Sequence, residues 1–556
     1  MKITVSELIV KYIERLGIEY IFGMPGAHIL PVYDCLYHSS VKTVLAKHEQ
    51  GASFMACGDA KASGNISACI STAGPGATNL ITGIANAYVD KQPILVITGE
   101  TSTYIFGKGG LQESSGEGGS IDQQSLFKGI TKYNKVIERT DYLANVLNRA
   151  AKILLSDNSG PVLLSIPFNV QKELVDESIL DEIQFRNNRK SSRSESADIQ
   201  AFADSIVSSK KPVIISGYGC IKSSAQNIVT ELSKAMNIPV TSSLKGKGAI
   251  SEQSELSLGC LGVTSYGGAY QYIVDHSDLI IFLGAGFNER TSYLWDKELL
   301  GNKKIVQVDL DSEQLEKVFN ADVAIQGDIK DVLSAVLANL ERAGAERKEY
   351  TPLDSSDEIK PENSTESDAV IFENKFSLIA RFFSLLETNI SEDIQVFDDN
   401  IIFAQNFYRV SSSDRYYPNS GVSSLGHAIP AAIGARFSEN KPTFAILGDG
   451  GFQMCCMEIM TAVNYDIPLT IVMLNNSTMG LIRKNQYQQY EERFIDCDFI
   501  NPDYSDLAKS FGIQYKRVES EADLDAVFSQ CDFVNSINLI EIMLDKNQFP
   551  NYVTKR

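Results

Sequence analysis

The chain is 556 residues long and carries a net charge of −20 at pH 7, with 44% hydrophobic and 22% charged residues. This composition is typical of a globular protein, and the length predicts about three or four domains. The acidic balance opposes binding to nucleic acid or an anionic membrane surface, and no apolar run reaches the roughly 18 residues that span a bilayer. Met1–Glu7 lacks a basic region followed by an apolar one, so we expect a cytoplasmic location.

The nine cysteines are scattered, odd in number and without a Cys-x-x-Cys pair. They predict neither a disulfide framework nor a zinc site, and most are expected to be small core residues.

Short apolar, β-branched runs alternate with amphipathic segments along the chain. Runs of about five apolar residues bounded by Gly or Pro are typical of strands buried on both faces of a parallel sheet. Helical segments such as Asp141–Ser156 and Ser224–Met236 lie between them. The alternation predicts doubly wound α/β domains with parallel sheets. In chain order, the predicted strands are Ile66–Thr72, Ile94–Thr98, Val162–Ile166, Val213–Ser216, Leu279–Leu283, Ile305–Val308, Thr443–Leu447, Leu469–Leu474 and Leu539–Ile542.

Two polar stretches divide this pattern. Asn187–Ser196 is charged, rich in serine and aperiodic, and Glu346–Asp368 carries two prolines, several serines and many charges. Both have the composition of exposed linkers. They predict three domains of similar size, at residues 1–185, 190–345 and 370–556.

Two polar loops follow successive apolar strands in the last third of the chain. Gly448-Asp449-Gly450-Gly451 comes after Thr443–Leu447, and Asn475-Asn476 comes after Leu469–Leu474. The interval between the loops has room for one crossover helix. Both loops are therefore expected at the C-terminal ends of parallel strands, where α/β sheets bind ligands.

These loops have the chemistry of a magnesium-diphosphate site. Glycines such as Gly448, Gly450 and Gly451 allow backbone N–H groups to approach a diphosphate. The oxygens of Asp449 and Asn476, with a backbone carbonyl near Thr478, are ligands that suit Mg²⁺. Alone, each motif also fits an ordinary turn, but their pairing at crossover distance favours the site.

The paired Gly-Asp-Gly and Asn-Asn motifs resemble the signature of the thiamine diphosphate enzymes. The resemblance covers essentially the whole chain and is closest to the acetohydroxyacid synthase branch. It implies that Glu49 activates the coenzyme and that Gly26, Gly76 and Asn79 contact it. The segments that resemble the family's pyrimidine-binding domain are Lys47–Ala52, Thr72–Asn79, Asp90–Pro93 and Ile97–Gly99.

Thiamine chemistry needs an internal base, because the thiazolium proton is very weakly acidic. The resemblance places the Glu49 carboxyl on the aminopyrimidine, whose imino form then takes that proton. Leu425 matches the bulky side chain that bends the two coenzyme rings together, although a leucine there also fits an ordinary core position. In this family the glutamate and the diphosphate site belong to different subunits, which implies a homodimer or homotetramer.

The middle segment resembles the FAD-binding domain of acetohydroxyacid synthases, which implies a bound flavin that need not take part in redox chemistry. A lone Gly-x-Gly is a weak signal, and a tight turn explains it equally well. The family's usual second arginine in this segment is Gly286 here, a departure from the pattern. The expected flavin contacts are Gly217, Gly219, Arg290, Asp309 and Asp328.

The resemblance implies that the enzyme decarboxylates pyruvate and adds the two-carbon unit to a second carbonyl compound. The chain has no His-His pair, which argues against a decarboxylase that releases acetaldehyde. Asn485 stands where acetohydroxyacid synthases carry a tryptophan in the acceptor pocket, which predicts a larger and more polar pocket. The default product is acetolactate. The alternative acceptor is a nucleotide-linked keto-deoxysugar, as for the flavin-containing carboligase of yersiniose biosynthesis.

Gly26–Ile29 resembles benzaldehyde lyase, in which a histidine and a glutamine face the reacting carbon. His28 and Gln112 are the matching residues, and either a proton relay or a buried structural role fits His28. A Gly/Ser-rich insertion, Ser114–Ser120, follows Gln112 beside the expected active site. Two further alternatives are a pyruvate oxidase and a non-catalytic paralogue, but the presence of Glu49 and the two metal-ligand motifs opposes the latter.

Overall fold

The computed structural model describes residues 1–185, 195–266, 268–352, 366–391, 393–399 and 401–552. These residues form three parallel six-stranded sheets, each with buried hydrophobic clusters on both faces. The predicted doubly wound α/β architecture is confirmed. The sheets lie inside the three predicted segments, whose boundaries stay a prediction. Most of the two predicted linkers, Asn187–Ser196 and Glu346–Asp368, lies outside the described residues.

The first sheet has the strand order β3-β2-β4-β5-β7-β6, and β1 pairs with β8 in a separate antiparallel ribbon. The strands of the first domain, with those of the ribbon included, are β1 (Lys2–Thr4), β2 (Tyr20–Gly23), β3 (Lys42–Leu45), β4 (Ser67–Ser71), β5 (Ile94–Glu100), β6 (Tyr133–Val136), β7 (Val162–Pro167) and β8 (Leu174–Asp176). Its helices are α1 (Val5–Arg15), α2 (Leu30–Leu36), α3 (Glu49–Ser63), α4 (Pro75–Asn79), α5 (Ile81–Val89), α6 (Gln123–Phe127), α7 (Leu143–Leu154) and α8 (Phe168–Gln171).

The middle sheet has the order β11-β10-β9-β12-β13-β14. Its strands are β9 (Pro212–Ser216), β10 (Val240–Ser242), β11 (Ser257–Cys260), β12 (Leu279–Leu283), β13 (Lys304–Asp309) and β14 (Val323–Gln326). Its helices are α9 (Ser196–Ser208), α10 (Tyr218–Lys222), α11 (Gln226–Met236), α12 (Ala269–His276), α13 (Lys297–Leu300) and α14 (Ile329–Arg342).

The third sheet has the order β16-β15-β17-β18-β20-β19. Its strands are β15 (Gln395–Asp398), β16 (Arg415–Pro418), β17 (Thr443–Gly448), β18 (Leu469–Asn475), β19 (Gln514–Val518) and β20 (Ile537–Met543). Its helices are α15 (Asp368–Lys375), α16 (Ser377–Asn389), α17 (Ile402–Phe407), α18 (Ala428–Ser438), α19 (Asp449–Cys455), α20 (Ile459–Asn464), α21 (Gly480–Gln489), α22 (Tyr504–Phe511) and α23 (Glu521–Gln530).

The first and third domains share one hydrophobic core, because α3 and α18 cross between their sheets. A Cβ atom on Gly58 would lie 1.8 Å from the carbonyl oxygen of Ala431, and one on Gly434 would lie 1.9 Å from that of Met55. The two antiparallel backbones therefore touch, which requires glycine at both positions. This contact fixes the first domain against the third.

Across the described ranges, no helix is both long and apolar enough to cross a membrane.

Candidate active site

The two polar loops of the third domain lie side by side. β17 and β18 are adjacent parallel strands with Gly448 opposite Leu474, so the residues that follow them emerge at the same sheet edge. The buried carboxylate of Asp449 accepts the N–H of Ser477 at 2.7 Å and that of Gly450 at 3.0 Å. Burial raises the pKa of this carboxyl. The edge thus presents a buried acidic group that bonds to both loops.

The other two predicted metal ligands lie on the second of these loops. The amide oxygen of Asn476 accepts the N–H of Thr478 at 3.2 Å, and the Thr478 hydroxyl donates to the carbonyl of Cys497 at 2.9 Å. A Cβ atom on Gly480 would lie 2.8 Å from the Asn476 amide nitrogen. A carboxylate, an amide oxygen and a backbone carbonyl are a donor set that Mg²⁺ accepts together with phosphate oxygens. The structure brings these residues to one edge, and their role as ligands stays a prediction.

Asn501 connects the two loops and was not predicted from the sequence. Its amide nitrogen donates to the Asp449 carboxylate and to the Asn475 amide oxygen, both at 2.8 Å. Its amide oxygen accepts from Tyr504 at 2.9 Å and from Gln453 at 2.6 Å. Every polar atom of this side chain is therefore engaged, and it fixes the relative position of the two strand ends.

A second unpredicted residue, Asp399, fixes the loop that carries Leu425. Its buried carboxylate accepts N–H groups of Gly426 at 2.6 Å, His427 at 3.1 Å and Ala428 at 2.8 Å. Burial raises the pKa of the Asp399 carboxyl to about 7. A Cβ atom on Gly451 would lie 3.9 Å from the Cβ of Leu425. Leu425 therefore lies beside the start of α19, on the same side of the third domain as Asp449.

Glu49 is the first residue of α3 and lies in the first domain. The amide of Asn79 donates to its Oε2 at 2.9 Å, and a Cβ atom on Gly76 would lie 3.5 Å from its Oε1. The structure thus gathers Glu49, Gly76 and Asn79, which the sequence assigned to the coenzyme. Asn79 contacts the carboxylate itself, a contact that the sequence did not predict.

His28 and Gln112 are also brought together. The His28 Nδ1 lies 3.3 Å from the Gln112 Oε1, and the Thr72 hydroxyl donates to the same oxygen at 3.4 Å. A Cβ atom on Gly26 would lie 2.6 Å from the Cβ of Thr72, so glycine is required where these loops meet. His28 is partly exposed, which disfavours the alternative of a fully buried structural histidine.

The loop that carries Gln112 is ordered by two carboxylates. Glu113 accepts the N–H groups of Gly107, Gly109 and Gly110 at 2.5, 3.0 and 2.8 Å. Buried Glu100, at the end of β5, accepts the N–H of Ser114 at 3.1 Å. These bonds fix Gln112 from both sides of the sequence.

A cavity of about 1200 Å³ lies at the C-terminal edge of the middle sheet and is bordered by all three domains. The buried carboxylate of Asp90, from the first domain, pairs there with Lys61 at 2.7 Å and with Lys245 of the middle domain at 2.6 Å. Burial opposes ionisation, but the two ammonium groups hold the pKa of Asp90 below its usual range. Among the predicted flavin contacts, the cavity lining includes Gly219, Arg290, Asp309 and Asp328.

Some of these residues also have structural roles. A Cβ atom on Gly217 would lie 2.1 Å from the carbonyl oxygen of Gly284, and the Gly219 N–H donates to that oxygen at 3.0 Å. The pair therefore allows the ends of β9 and β12 to approach each other. Asp328 caps α14 through the Lys330 N–H at 2.8 Å, and burial raises the pKa of Asp309.

Asn485 lies on α21, which is anchored by its two basic residues. Arg483 pairs with Asp498 at 2.9 Å. Lys484 is buried with its ammonium 3.5 Å from the ring centroid of Tyr552, and burial lowers its pKa to about 8. Asn485 is partly exposed on this anchored helix, and its place in an acceptor pocket stays a prediction.

Comparison with protein families covers all three domains. Residues 3–125 match the thiamine pyrophosphate enzyme N-terminal TPP binding domain, residues 199–336 the central domain and residues 400–542 the C-terminal TPP binding domain.

Individual relatives match along nearly the whole chain. The probable acetolactate synthase large subunits of Methanococcus aeolicus and Methanocaldococcus jannaschii are 30% and 32% identical to it, covering 97% of this chain and 92% of each relative. The acetolactate synthase large subunit of Lactococcus lactis is 30% identical, covering 98% of this chain and 93% of the relative. With both loops of the third domain at one sheet edge and these matches over all three domains, the chain belongs to the thiamine pyrophosphate enzyme family and is homologous to acetolactate synthase large subunits.

Proposed function

We propose that this enzyme decarboxylates pyruvate and transfers the two-carbon unit to a second carbonyl compound, with acetolactate as the product when the acceptor is another pyruvate. The observation that carries the proposal is the meeting of the Asp449 and Asn476 loops at one edge of the third sheet. The relatives named acetolactate synthase large subunit support pyruvate as the donor.

The edge of the third sheet fits Mg²⁺ and a diphosphate. Asp449, Asn476 and the carbonyl of Thr478 would hold the metal ion, with Asn501 keeping the carboxylate of Asp449 in place. A Cβ atom on Gly450 would lie 2.7 Å from the Met479 sulfur, and one on Gly451 would lie 2.9 Å from the Asp399 carboxylate. Glycine at these positions lets the backbone, rather than side chains, face the diphosphate.

Thiamine diphosphate, when bound, supplies a carbon nucleophile that adds to the donor ketone. Glu49 would exchange a proton with the aminopyrimidine of the bound coenzyme, and Leu425 would support the coenzyme between its two rings. Asn79 holds one oxygen of the Glu49 carboxyl, which leaves the other for the proton. The His28–Gln112 pair then positions a proton near the acceptor carbonyl.

The middle domain fits FAD. The cavity of about 1200 Å³ is larger than most small-molecule sites, and its lining combines Gly219, Arg290 and Asp309 at the C-terminal ends of parallel strands. This is the edge at which such sheets bind nucleotides. Release of a flavin from heat-denatured protein, identified by its fluorescence, tests the assignment.

The active unit is a homo-oligomer in which Glu49 of one subunit acts with the Asp449 edge of another. Large apolar side chains are exposed in both domains that would meet, and such surface supports a protein interface. These are Leu30 and Leu111 in the first domain, and Met454, Met457, Leu481 and Ile482 in the third.

Product analysis tests the proposal. Purified enzyme with thiamine diphosphate, Mg²⁺ and pyruvate is expected to release carbon dioxide and form acetolactate. Addition of a nucleotide-linked keto-deoxysugar reports whether a sugar competes with pyruvate as acceptor, and Asp449→Ala is the inactive control. Absence of pyruvate-dependent carbon dioxide release from the wild-type holoenzyme, with or without the sugar, would contradict the proposal.

A further inference from the structure

A buried carboxyl group of the third domain contacts the turn that precedes Glu49. Glu458 lies just after α19 and is the tenth residue of the segment that begins with Asp449. Its Oε1 accepts the N–H groups of Lys47 and His48, both at 2.9 Å. Its Oε2 accepts the hydroxyl of Thr461 at 2.9 Å. Both carboxyl oxygens are therefore bonded, and only 3% of the residue is exposed.

Gly51 shows how closely the two domains meet here. A Cβ atom at this position would lie 2.2 Å from the Glu458 Oε1 and 2.5 Å from its carboxyl carbon. Any other residue at position 51 would displace the carboxyl group from the N–H groups of Lys47 and His48. The glycine two residues after Glu49 thus makes room for Glu458.

The hydrogen bonds to Glu458 hold the backbone that sets the direction of the Glu49 side chain. The side chain of His48 caps α3 by accepting the Gln50 N–H at 3.1 Å, so Glu49 lies between two residues whose backbone positions are set by short contacts. A carboxylate at the N-terminus of a helix is also favoured by the helix dipole. The direction of the Glu49 side chain therefore depends on a group from another domain.

We infer that Glu458 is a positioning residue for Glu49: through the N–H groups of Lys47 and His48 it holds the first turn of α3 so that the Glu49 carboxyl engages the coenzyme. The inference rests on the proposed function and names a residue that supports its first step. Asp449 and Glu458 lie at opposite ends of one short segment. The same segment therefore carries a predicted metal ligand at its start and the group that holds the first turn of α3 at its end.

Exchange of the thiazolium C2 proton with deuterium, followed by acid quench and NMR, tests the inference on the holoenzyme. Glu458→Ala should slow this exchange by on the order of 10- to 100-fold, the cost of a catalytic group misplaced by about 1 Å. Its Kd for thiamine diphosphate should stay close to that of the wild type. Glu458→Gln should recover most of the rate, because an amide oxygen accepts the same two N–H groups.

A matched control comes from the same domain. The buried carboxyl group of Glu387 accepts the Arg409 N–H at 2.6 Å and belongs to no part of the proposed coenzyme site. Glu387→Ala should exchange the proton at the wild-type rate. Equal slowing in both alanine variants would overturn the inference, as would wild-type exchange in Glu458→Ala or a glutamine variant no faster than alanine.

If Glu458→Ala folds poorly, a second pair of variants tests the same contact. Gly51→Ala keeps the carboxyl but displaces it, and Gly51→Ala/Glu458→Ala removes the clash and the hydrogen bonds together. Both variants should exchange the thiazolium C2 proton slowly. The Tm of the double variant should return toward that of the wild type, because the clash is gone. Fast exchange in the folded double variant would overturn the inference. Failure of the wild-type protein to bind thiamine diphosphate would instead contradict the proposed function.

Discussion

Asn501 is hydrogen-bonded to both loops of the proposed magnesium site. Its loss should leave the Asp449 carboxylate present but less firmly held. We expect Asn501→Ala to weaken Mg²⁺ binding by about 10- to 100-fold, the usual effect of removing a group that orients a metal ligand. Asp449→Ala should abolish binding of Mg²⁺ and thiamine diphosphate together. Equilibrium dialysis measures both, with Tyr504→Phe as the control that removes a bond to the Asn501 oxygen and leaves the Asn501 amide nitrogen on Asp449. Unchanged Mg²⁺ affinity in Asn501→Ala would contradict the assignment.

Asn485 is expected to set the size and polarity of the acceptor pocket. Asn485→Trp should fill that pocket and shift the products toward those of small keto acids. Product ratios with pyruvate and a larger ketone, supplied together, measure the shift. Tyr487→Trp is the control, since Tyr487 lies on the same helix and its side chain is exposed. Identical product ratios in the wild type and in Asn485→Trp would show that Asn485 does not line the acceptor pocket.

Glu100 should make stability depend on pH. Burial raises the pKa of its carboxyl from 4.5 to about 7. The folded chain therefore binds this proton more tightly than the unfolded chain, so the group stabilises the fold below about pH 4.5 and the contribution is lost as pH rises to about 7. In Glu100→Gln this dependence is absent, so the Tm of the variant minus that of the wild type should rise between pH 5 and 7. A constant difference would contradict the shift.

Residues that directly follow apolar strands were accessible from the sequence. Asp449 and Asn476 were singled out by that position. Asp399 also follows a strand, but β15 has the sequence Gln-Val-Phe-Asp and forms no apolar run, so the rule did not find it. Glu458 and Asn501 carry no such signal, because their partners come from another domain or a distant loop. Their contacts follow from tertiary packing alone.

The close crossing of α3 and α18 should not tolerate a side chain at position 58. Gly58→Ala places a Cβ atom against a backbone oxygen that cannot rotate away, so we expect destabilisation on the order of 3 kcal/mol or failure to fold. Gly129→Ala, where the new atom meets open space, is the control and should be near neutral. Thermal unfolding measures both, and equal Tm values would contradict the close contact.

All nine predicted strands lie in the interior of their sheets, where both faces are buried, but three other interior strands, β2, β10 and β15, were missed. The run Leu279–Leu283 coincides with β12, and Leu469–Leu474 differs from β18 by one residue. Edge strands were missed: Tyr133–Val136 and Gln514–Val518 carry polar side chains and form no apolar run. An edge strand needs only one buried face, so its composition resembles that of a loop.

The proposed sharing of the active site between two subunits predicts that two inactive variants can complement each other. Glu49→Gln and Asp449→Ala are each expected to be inactive alone. When the two are refolded or expressed together, about half of the dimers are mixed, and each mixed dimer has one site with both groups intact, giving about one quarter of wild-type activity. Steady-state carbon dioxide release measures the recovery. Mixing each variant with itself is the control, and no recovery in verified mixed dimers would place both groups in one subunit.

The shared core of the first and third domains also limits how such a gene can change. The middle domain closes both faces of its sheet with its own residues, whereas the other two each leave one face to be closed by the partner domain. Recombination between related genes can therefore exchange the middle domain without opening its hydrophobic core, provided that its ion pairs with the first domain, such as Lys245 with Asp90, are kept. The outer two must be inherited as a pair, because a foreign α3 would meet an α18 whose glycine and alanine did not evolve to receive it.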